Sequence, residues 1–235
     1  MVLVRVRHPL YSVRHVETYQ VALSYPLFPP STVLGAVGFA LAQAGLCKGD
    51  GVACGEKPCV KAARELVDRA RDVAVGAVAK FPVVLKRLRG VLEERRLPKD
   101  VGEFTGFSDA MVREYVFATE RTILLVPRRG AAERLAKALW LLERLGDSES
   151  LVSVVGVEVA KAERCEGLVN VVVRAEAARG GAYTVVKMFD EDCAEGWFAA
   201  PVRLLKGGLY VPGGVEVEGP VLCAGSAVFP GGGSW

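Results

Sequence analysis

The chain opens on an alternation. In "MVLVRVRH", Val2, Val4 and Val6 interleave with Leu3, Arg5 and Arg7, the period-two pattern of a strand with one apolar and one basic face. "TYQVALSYP" predicts a second extended segment, stopped by Pro26. Sixteen residues without a charge follow, Ser31 to Leu46. Behind Pro29 and Pro30, Ser31 or Thr32 is a natural N-cap, because a hydroxyl there can accept a bond from a free first-turn amide. As a helix the run rises about 24 Å, short of the roughly 30 Å hydrocarbon core of a bilayer, so it does not span a membrane. "GAVGFA" lacks the Lys–Ser/Thr end of a phosphate loop and the three-glycine spacing of a dinucleotide fingerprint. The run therefore predicts a helix buried on nearly all sides, with Gly35 and Gly38 allowing close approach to a sheet.

Farther on, Ala63, Leu66, Val67 and Ala70 recur at helical spacing in "KAARELVDRARDV", which predicts a second, amphipathic helix. "VAVGAVAKFPVV" reads as a strand broken by Pro82. Residues 83–108 show little periodicity and are punctuated by Gly90, Pro98, Gly102 and Gly106. "MVREYVFATERTILLVP" predicts one long strand ending at Pro127. "GAAERLAKALWLLERLG" predicts a helix with Leu135, Leu139, Leu142 and Leu145 on one face and Gly146 at its end. Two β-branched strands, "LVSVVGVEVAKAE" and "GLVNVVVRAEA", precede a C-terminal stretch of short strands. Without insertions the order is strand, helix, strand, strand, helix, strand. This predicts an α+β, ferredoxin-like (RRM-like) domain over residues 1–160, a basic insertion at about 83–108, and a β-rich part over 161–235.

Composition sharpens this in two ways. The net charge of +3 hides a split: 23 Lys and Arg against 15 Asp and Glu in residues 1–145, then 7 against 12 in residues 146–235. A basic front and an acidic back suit one anionic partner on one side. Asn170, Gln20 and Gln43 are the only amide side chains, a depletion that points to a heat-loving source. No secretory signal is visible in the first residues, which predicts a cytoplasmic protein in which disulfides are nonetheless admissible if the source is a hyperthermophile.

Candidate chemistry is sparse. His8 and His15 are the only histidines, and either could serve a metal-independent ribonuclease as general acid or base, with Arg7 or Arg14 beside it. Surface, packing or RNA-contact roles are the alternatives. Asp190, Glu191, Asp192 and Glu195 cluster as a solvated acidic turn or a hard-cation site. Cys47, Cys54 and Cys59 lie too irregularly for paired zinc ligands and leave a loop disulfide or free thiols open. No cofactor or metal is expected. Between Lys80 and Asp100 the cations Lys80, Lys86, Arg87, Arg89, Arg95, Arg96 and Lys99 outnumber Glu93, Glu94 and Asp100, with Phe81, Phe104 and Phe107 at the borders. Basic side chains neutralise phosphates and aromatic tips wedge between or stack on bases, so this tract is a candidate RNA-binding element. Arg5, Arg7, Arg14, Arg128 and Arg129 add charge near strand ends. Tyr115 is read either as a base-stacking ring or as core.

At "LFPPSTVLGAVGFALA" and "DAMVREYVFATERTILLVP" the chain resembles the archaeal type I-A branch of the CRISPR-associated Cas-five family. Pro29, Pro30, Ser31, Thr32, Gly35 and Ala36 match its proline pair and small-residue helix, and Arg113, Glu114 and Tyr115 fit its long strand. The resemblance implies a non-catalytic subunit of a Cascade surveillance complex in antiviral defence. Such a subunit grips the 5′ handle of the crRNA, caps a filament of backbone subunits, meets the large subunit and touches target DNA indirectly. It also implies that 83–108 is a thumb over the guide. On this reading the RNA-facing groups include His8 and the first turn of the apolar helix at Ser31 and Thr32.

Overall fold

The computed structural model describes residues 1–18, 21–47, 58–87, 89–232 and 235. The first half of the chain holds β1 (Val2–Arg7), β2 (Leu10–Tyr11), β3 (Val21–Ala22), α1 (Pro30–Gln43), α2 (Pro58–Leu66), β4 (Val67–Val73), β5 (Val78–Arg87), α3 (Arg89–Glu94), α4 (Val101–Phe107), β6 (Asp109–Phe117), β7 (Glu120–Pro127), α5 (Ala132–Leu139) and β8 (Ser153–Val159). Short strands follow: β9 (Glu163–Cys165), β10 (Val173–Arg174), β11 (Ala178–Ala182), β12 (Thr184–Phe189), β13 (Glu195–Ala200), β14 (Val202–Leu204), β15 (Leu209–Pro212), β16 (Gly214–Val217), β17 (Val221–Ala224) and β18 (Ala227–Pro230).

Four strands form an antiparallel sheet in the order β4-β7-β1-β8, with α1 and α2 between β1 and β4 in sequence and α5 between β7 and β8. The alternation in β1 decides its two faces. Val2, Val4 and Val6 bury against Val33, Leu34, Val37 and Leu41 of α1 and Leu135 and Leu139 of α5. Leu3 points the other way, into a second cluster with Val73, Leu124, Val169, Val171, Val215, Ala227 and Phe229. The C-terminal strands thus roof part of the sheet's outer face. Val172, Met188, Phe198, Ala200 and Val202 also join the first cluster, so packing continues across residue 160. A second sheet runs β14-β15-β5-β6-β2, with β3 parallel to β6.

Several elements differ from the sequence pattern, each for a reason of packing. The helical spacing of Ala63 to Ala70 yields a helix only as far as Leu66. From Val67 the chain pairs with β7 as β4, and sheet burial overrides the local period. The single long strand predicted at 111–127 is two strands in two sheets. The chain passes between them at Ala118–Thr119, beside the passage from β1 to β2, where His8 N–H bonds the Thr119 carbonyl at 3.2 Å. Pro82 does not break β5. It lies past Ala79, the last residue paired with β15, so the missing N–H falls on an open edge. The α5 helix stops at Leu139. Beyond it the Glu143 carbonyl accepts the Val152 amide, and Leu142 and Leu145 stay buried without being helical.

The α1 helix is buried as expected, but its cap is not a hydroxyl. Pro29 is the N-cap, with no side-chain bond, and Ser31 is 6% exposed inside the first turn. Among the described residues no helix is long and apolar enough to cross a membrane.

Candidate nucleic-acid interface

The β5–β6 hairpin carries most of the basic tract. Its strands pair over nine residues, from Ala79↔Phe117 to Arg87↔Asp109, and α3 and α4 sit at its tip. Its base is held by the consecutive Arg113, Glu114 and Tyr115. Arg113 pairs with Asp147 at 2.7 Å, and the Tyr115 hydroxyl donates to Glu149 at 2.7 Å. Glu114 accepts from the Ser24 amide at 2.8 Å and pairs with Lys80 at 2.7 Å. Lys80 also lies 5.3 Å from the Tyr210 ring. It is a strut rather than a free phosphate ligand. Tyr115 is 8% exposed, so the stacking role considered for it fails: its ring is packed and its hydroxyl is committed.

The tip is a compact pair of helices. Asp100 caps α4 by accepting the Glu103 amide at 2.9 Å, and Glu103 in turn accepts from the Lys99 amide at 2.9 Å. A Cβ added to Gly90 would lie 2.8 Å from the Phe107 Cα, so only glycine lets α3 approach α4 this closely. Phe107 is buried there, with the Arg96 guanidinium 4.5 Å from its ring centre, and cannot wedge between bases. Phe104, 39% exposed, can.

Residues 89–107 contain Arg89, Arg95, Arg96 and Lys99 against Glu93, Glu94, Asp100 and Glu103, so the tip is neutral. Arg89 pairs with Glu93, and Arg96 with both Glu94 and Glu103, which holds the Glu103 carboxyl below its ordinary range. Arg95 has a left-handed backbone conformation, with φ 55°, and makes no ion pair among the described residues. Leu92, Leu97 and Val101 are more than two-thirds exposed. The remaining cations of the tract, Lys86 and Arg87, belong to the stem, and their side chains lie outside the described residues.

The other candidates scatter. Arg5 and Arg7 stand on the outer face of the four-stranded sheet, Arg7 within 3.8 Å of Glu120. Arg14 donates to the Thr18 carbonyl at the turn before β3. Arg128 donates to the Arg64 carbonyl at 2.9 Å, and Arg129 is exposed beyond β7.

At the first turn of α1, Pro30 has no N–H and the Thr32 and Val33 amides both bond the Pro29 carbonyl. The expected phosphate cradle is therefore largely consumed. Thr32 is partly exposed.

His8 is not an RNA contact. It is fully buried between Tyr11 and Phe28, with ring centres 4.8 and 5.4 Å away, and among the described residues neither ring nitrogen makes a hydrogen bond of good geometry. Burial, helped by the Arg121 charge, pushes its pKa down to about 3. His15 stacks on Tyr25 at 4.1 Å, and burial lowers its pKa too.

Cys47 is disulfide-bonded; Cys54 and the Cys59 side chain lie outside the described residues. Of the acidic turn, Asp190 and Glu191 are buried and paired with Arg174 and Arg71, whereas Asp192 and Glu195 are exposed as a solvated turn would be. Among the described residues no group of three metal-ligating side chains occurs.

Sequence reading missed the buried ion pairs. Arg121 and Asp72, 1% and 0% exposed, join β7 to β4, and Asp72 also accepts the Phe28 amide at 2.9 Å. The available signal was slight: Arg71 and Asp72 close a charged run, Asp68–Asp72, directly before the apolar stretch from Val73.

The comparisons bear on this geometry. Residues 1–198 match the family model described as CRISPR-associated protein (Cas_Cas5). The chain belongs to the Cas5 family. A "CRISPR-associated protein Cas5" of Thermoproteus tenax is 50% identical over 233 residues, covering 99% of this chain and 98% of that protein. A Cas5 of Methanocaldococcus jannaschii is 35% identical over 162 residues, covering 65% of this chain and 60% of that one. Among solved structures, a CRISPR protein from Archaeoglobus fulgidus aligns with a TM-score of 0.52 at 21% identity, covering 97% of this chain and 96% of that one. A chain of a CRISPR RNA-guided surveillance complex aligns at 0.50 and 15% identity, covering 91% and 90%. The last two likenesses concern the Cas5 fold alone.

Proposed function

We propose that this Cas5 chain is a non-catalytic, crRNA-binding subunit of a type I-A Cascade complex. It holds the 5′ handle of the guide and caps the filament of backbone subunits. Its four-stranded sheet is the core of a ferredoxin-like domain, on the strength of the order β4-β7-β1-β8 with helices at the two crossovers. The observation that carries the functional reading is the β5–β6 hairpin, anchored at its base by three consecutive side chains and carrying Lys86 and Arg87 in its first strand. Such a stem neutralises backbone phosphates, while base pairing supplies sequence recognition. The non-catalytic part is supported by His8: a buried imidazole with a pKa near 3 is a poor proton-transfer group at neutral pH.

The test is the salt dependence of affinity for handle RNA. Neutralising Lys86, Arg87 and Arg89 should flatten the log–log slope by about 0.7 per lost contact. An unchanged slope refutes the assignment. Site-specific cleavage of repeat RNA without metal, lost in His15→Ala, would instead establish an endoribonuclease. The neutral, apolar tip favours one further reading, a scaffold that touches protein only, and absence of handle affinity at low salt would establish it.

A further inference from the structure

Away from the thumb, a cleft of about 130 Å³ opens on the outer face of the four-stranded sheet. Leu3, Arg5, Thr122, Gly156 and Glu158 line it from the sheet, and Gly225 and Ser226 of the β17–β18 turn form a wall. It is far smaller than the roughly 300–1,000 Å³ of sites that take drug-sized molecules, and suits one ring system.

The wall is firmly placed. Asn170, one of three side-chain amides in the chain, donates to the Ser226 carbonyl and accepts the Val228 amide, both at 2.8 Å. The Cys165–Cys223 disulfide ties β17 to β9 just behind the turn. Leu3, 4% exposed, makes an apolar floor.

The polar groups are placed with equal definition. Arg5 lies opposite Gly156, and Leu3 opposite Glu158, so Arg5 and Glu158 are diagonal neighbours on one sheet face. A Cβ at Gly156 would stand 3.1 Å from an Arg5 guanidinium nitrogen: the glycine leaves the notch in which the arginine head rests. Both side chains are exposed, yet neither makes an ion pair or side-chain hydrogen bond among the described residues. A donor fork and an acceptor carboxylate thus flank one small apolar-floored gap without satisfying each other.

We propose that this cleft is a guanine-binding site. Guanine carries two acceptors, O6 and N7, that match a guanidinium fork, and donors at N1 and N2 that a carboxylate accepts. A bare phosphate would meet Arg5 but be repelled by Glu158. Adenine would set its exocyclic amine against the guanidinium. The base comes from single-stranded RNA or from a free guanine nucleotide, and the inference rests on the RNA-binding reading only for the first source.

The test is a titration of the whole protein with GMP, followed by amide resonances of Gly156, Gly225 and Ser226. GMP and guanosine are expected to shift them, AMP and inorganic phosphate are not, and Arg5→Gln or Glu158→Gln should weaken GMP at least tenfold without changing the melting temperature. Gly156→Ala, which crowds the Arg5 head, should act likewise. No shift at millimolar GMP, or equal shifts with AMP or phosphate, overturns the proposal. Displacement of GMP by a short guanine-containing RNA and not by its adenine counterpart identifies RNA as the source; failure to displace overturns that source and leaves the free nucleotide. The Lys86, Arg87 and Arg89 variant should bind GMP normally, so loss of the thumb reading and loss of this one are separate results.

Discussion

His8 sits where β1 leaves one sheet for the other, and its environment makes it a sensor of acid rather than a reagent. It is stacked between two rings in a buried site near the Arg121 charge, so the folded protein holds it neutral. Its pKa near 3 lies below the ordinary 6.5, so as pH falls the unfolded chain takes up the proton first. Its contribution is complete above about pH 6.5 and is lost as the pH drops toward 3. At pH 5 the loss should be about 2 kcal/mol, seen as a lower guanidinium midpoint than at pH 7 and absent from His8→Leu. Arg121 is the second residue on which stability turns. Cutting it to alanine strands Asp72 in the core, with an expected cost of about 3–5 kcal/mol by denaturant unfolding. Neither role could be read locally: a histidine after a basic strand face and an arginine in "ATERTILL" look solvated until the chain closes over them.

At the scale of elements, the hairpin divides its labour. Its base is an interlocked set of polar contacts, its stem carries Lys86 and Arg87, and its tip is neutral in formal charge with exposed apolar side chains. Tyr115→Phe should cost about 1 kcal/mol by removing the hydroxyl bond to Glu149, with little change in RNA affinity, since the ring is inward. A Leu97→Ser change, on a residue 72% exposed, should leave the melting temperature within the small range typical of surface substitutions. Elements with a strong period were legible: β1, α1 and the start of α5 lie where the pattern puts them. The misreadings share one cause. Ala63, Leu66, Val67 and Ala70 satisfy a helix, but β7 offered Val67–Val73 a sheet partner, and the partner won. The strand expected to run through Ala118 and Thr119 instead changes sheets there, because local propensity carries no record of which sheet a strand joins.

For the whole molecule, the C-terminal strands act as a roof packed on the sheet, and a covalent link ties two of them, β9 and β17, to each other. The Cys165–Cys223 bridge spans 58 residues, and Cys223→Ser should cost about 4 kcal/mol if the entropy of the unfolded chain sets its worth. A fall in melting temperature under reductant, smaller in that variant, checks it. The roof also explains why an RRM-type reading of the sheet covers so little of the site. Val169, Val171, Val215 and Phe229 occupy much of the face that such a domain leaves open, while the cleft around Arg5 stays accessible.

By itself the sequence determined the alternation of β1, the buried apolar helix, the order of the main elements and the motifs that carry the family resemblance, because periodicity and turn chemistry act over a few residues. Only the tertiary structure decided which charges are free. Arg71 meets Glu191 across 120 residues and Arg121 meets Asp72 across 49, and no short-range rule connects them. A cation buried against a carboxylate is lost to RNA, whereas an exposed local pair such as Arg89–Glu93 is easily exchanged, and which cations are buried is settled by long-range closure of the chain.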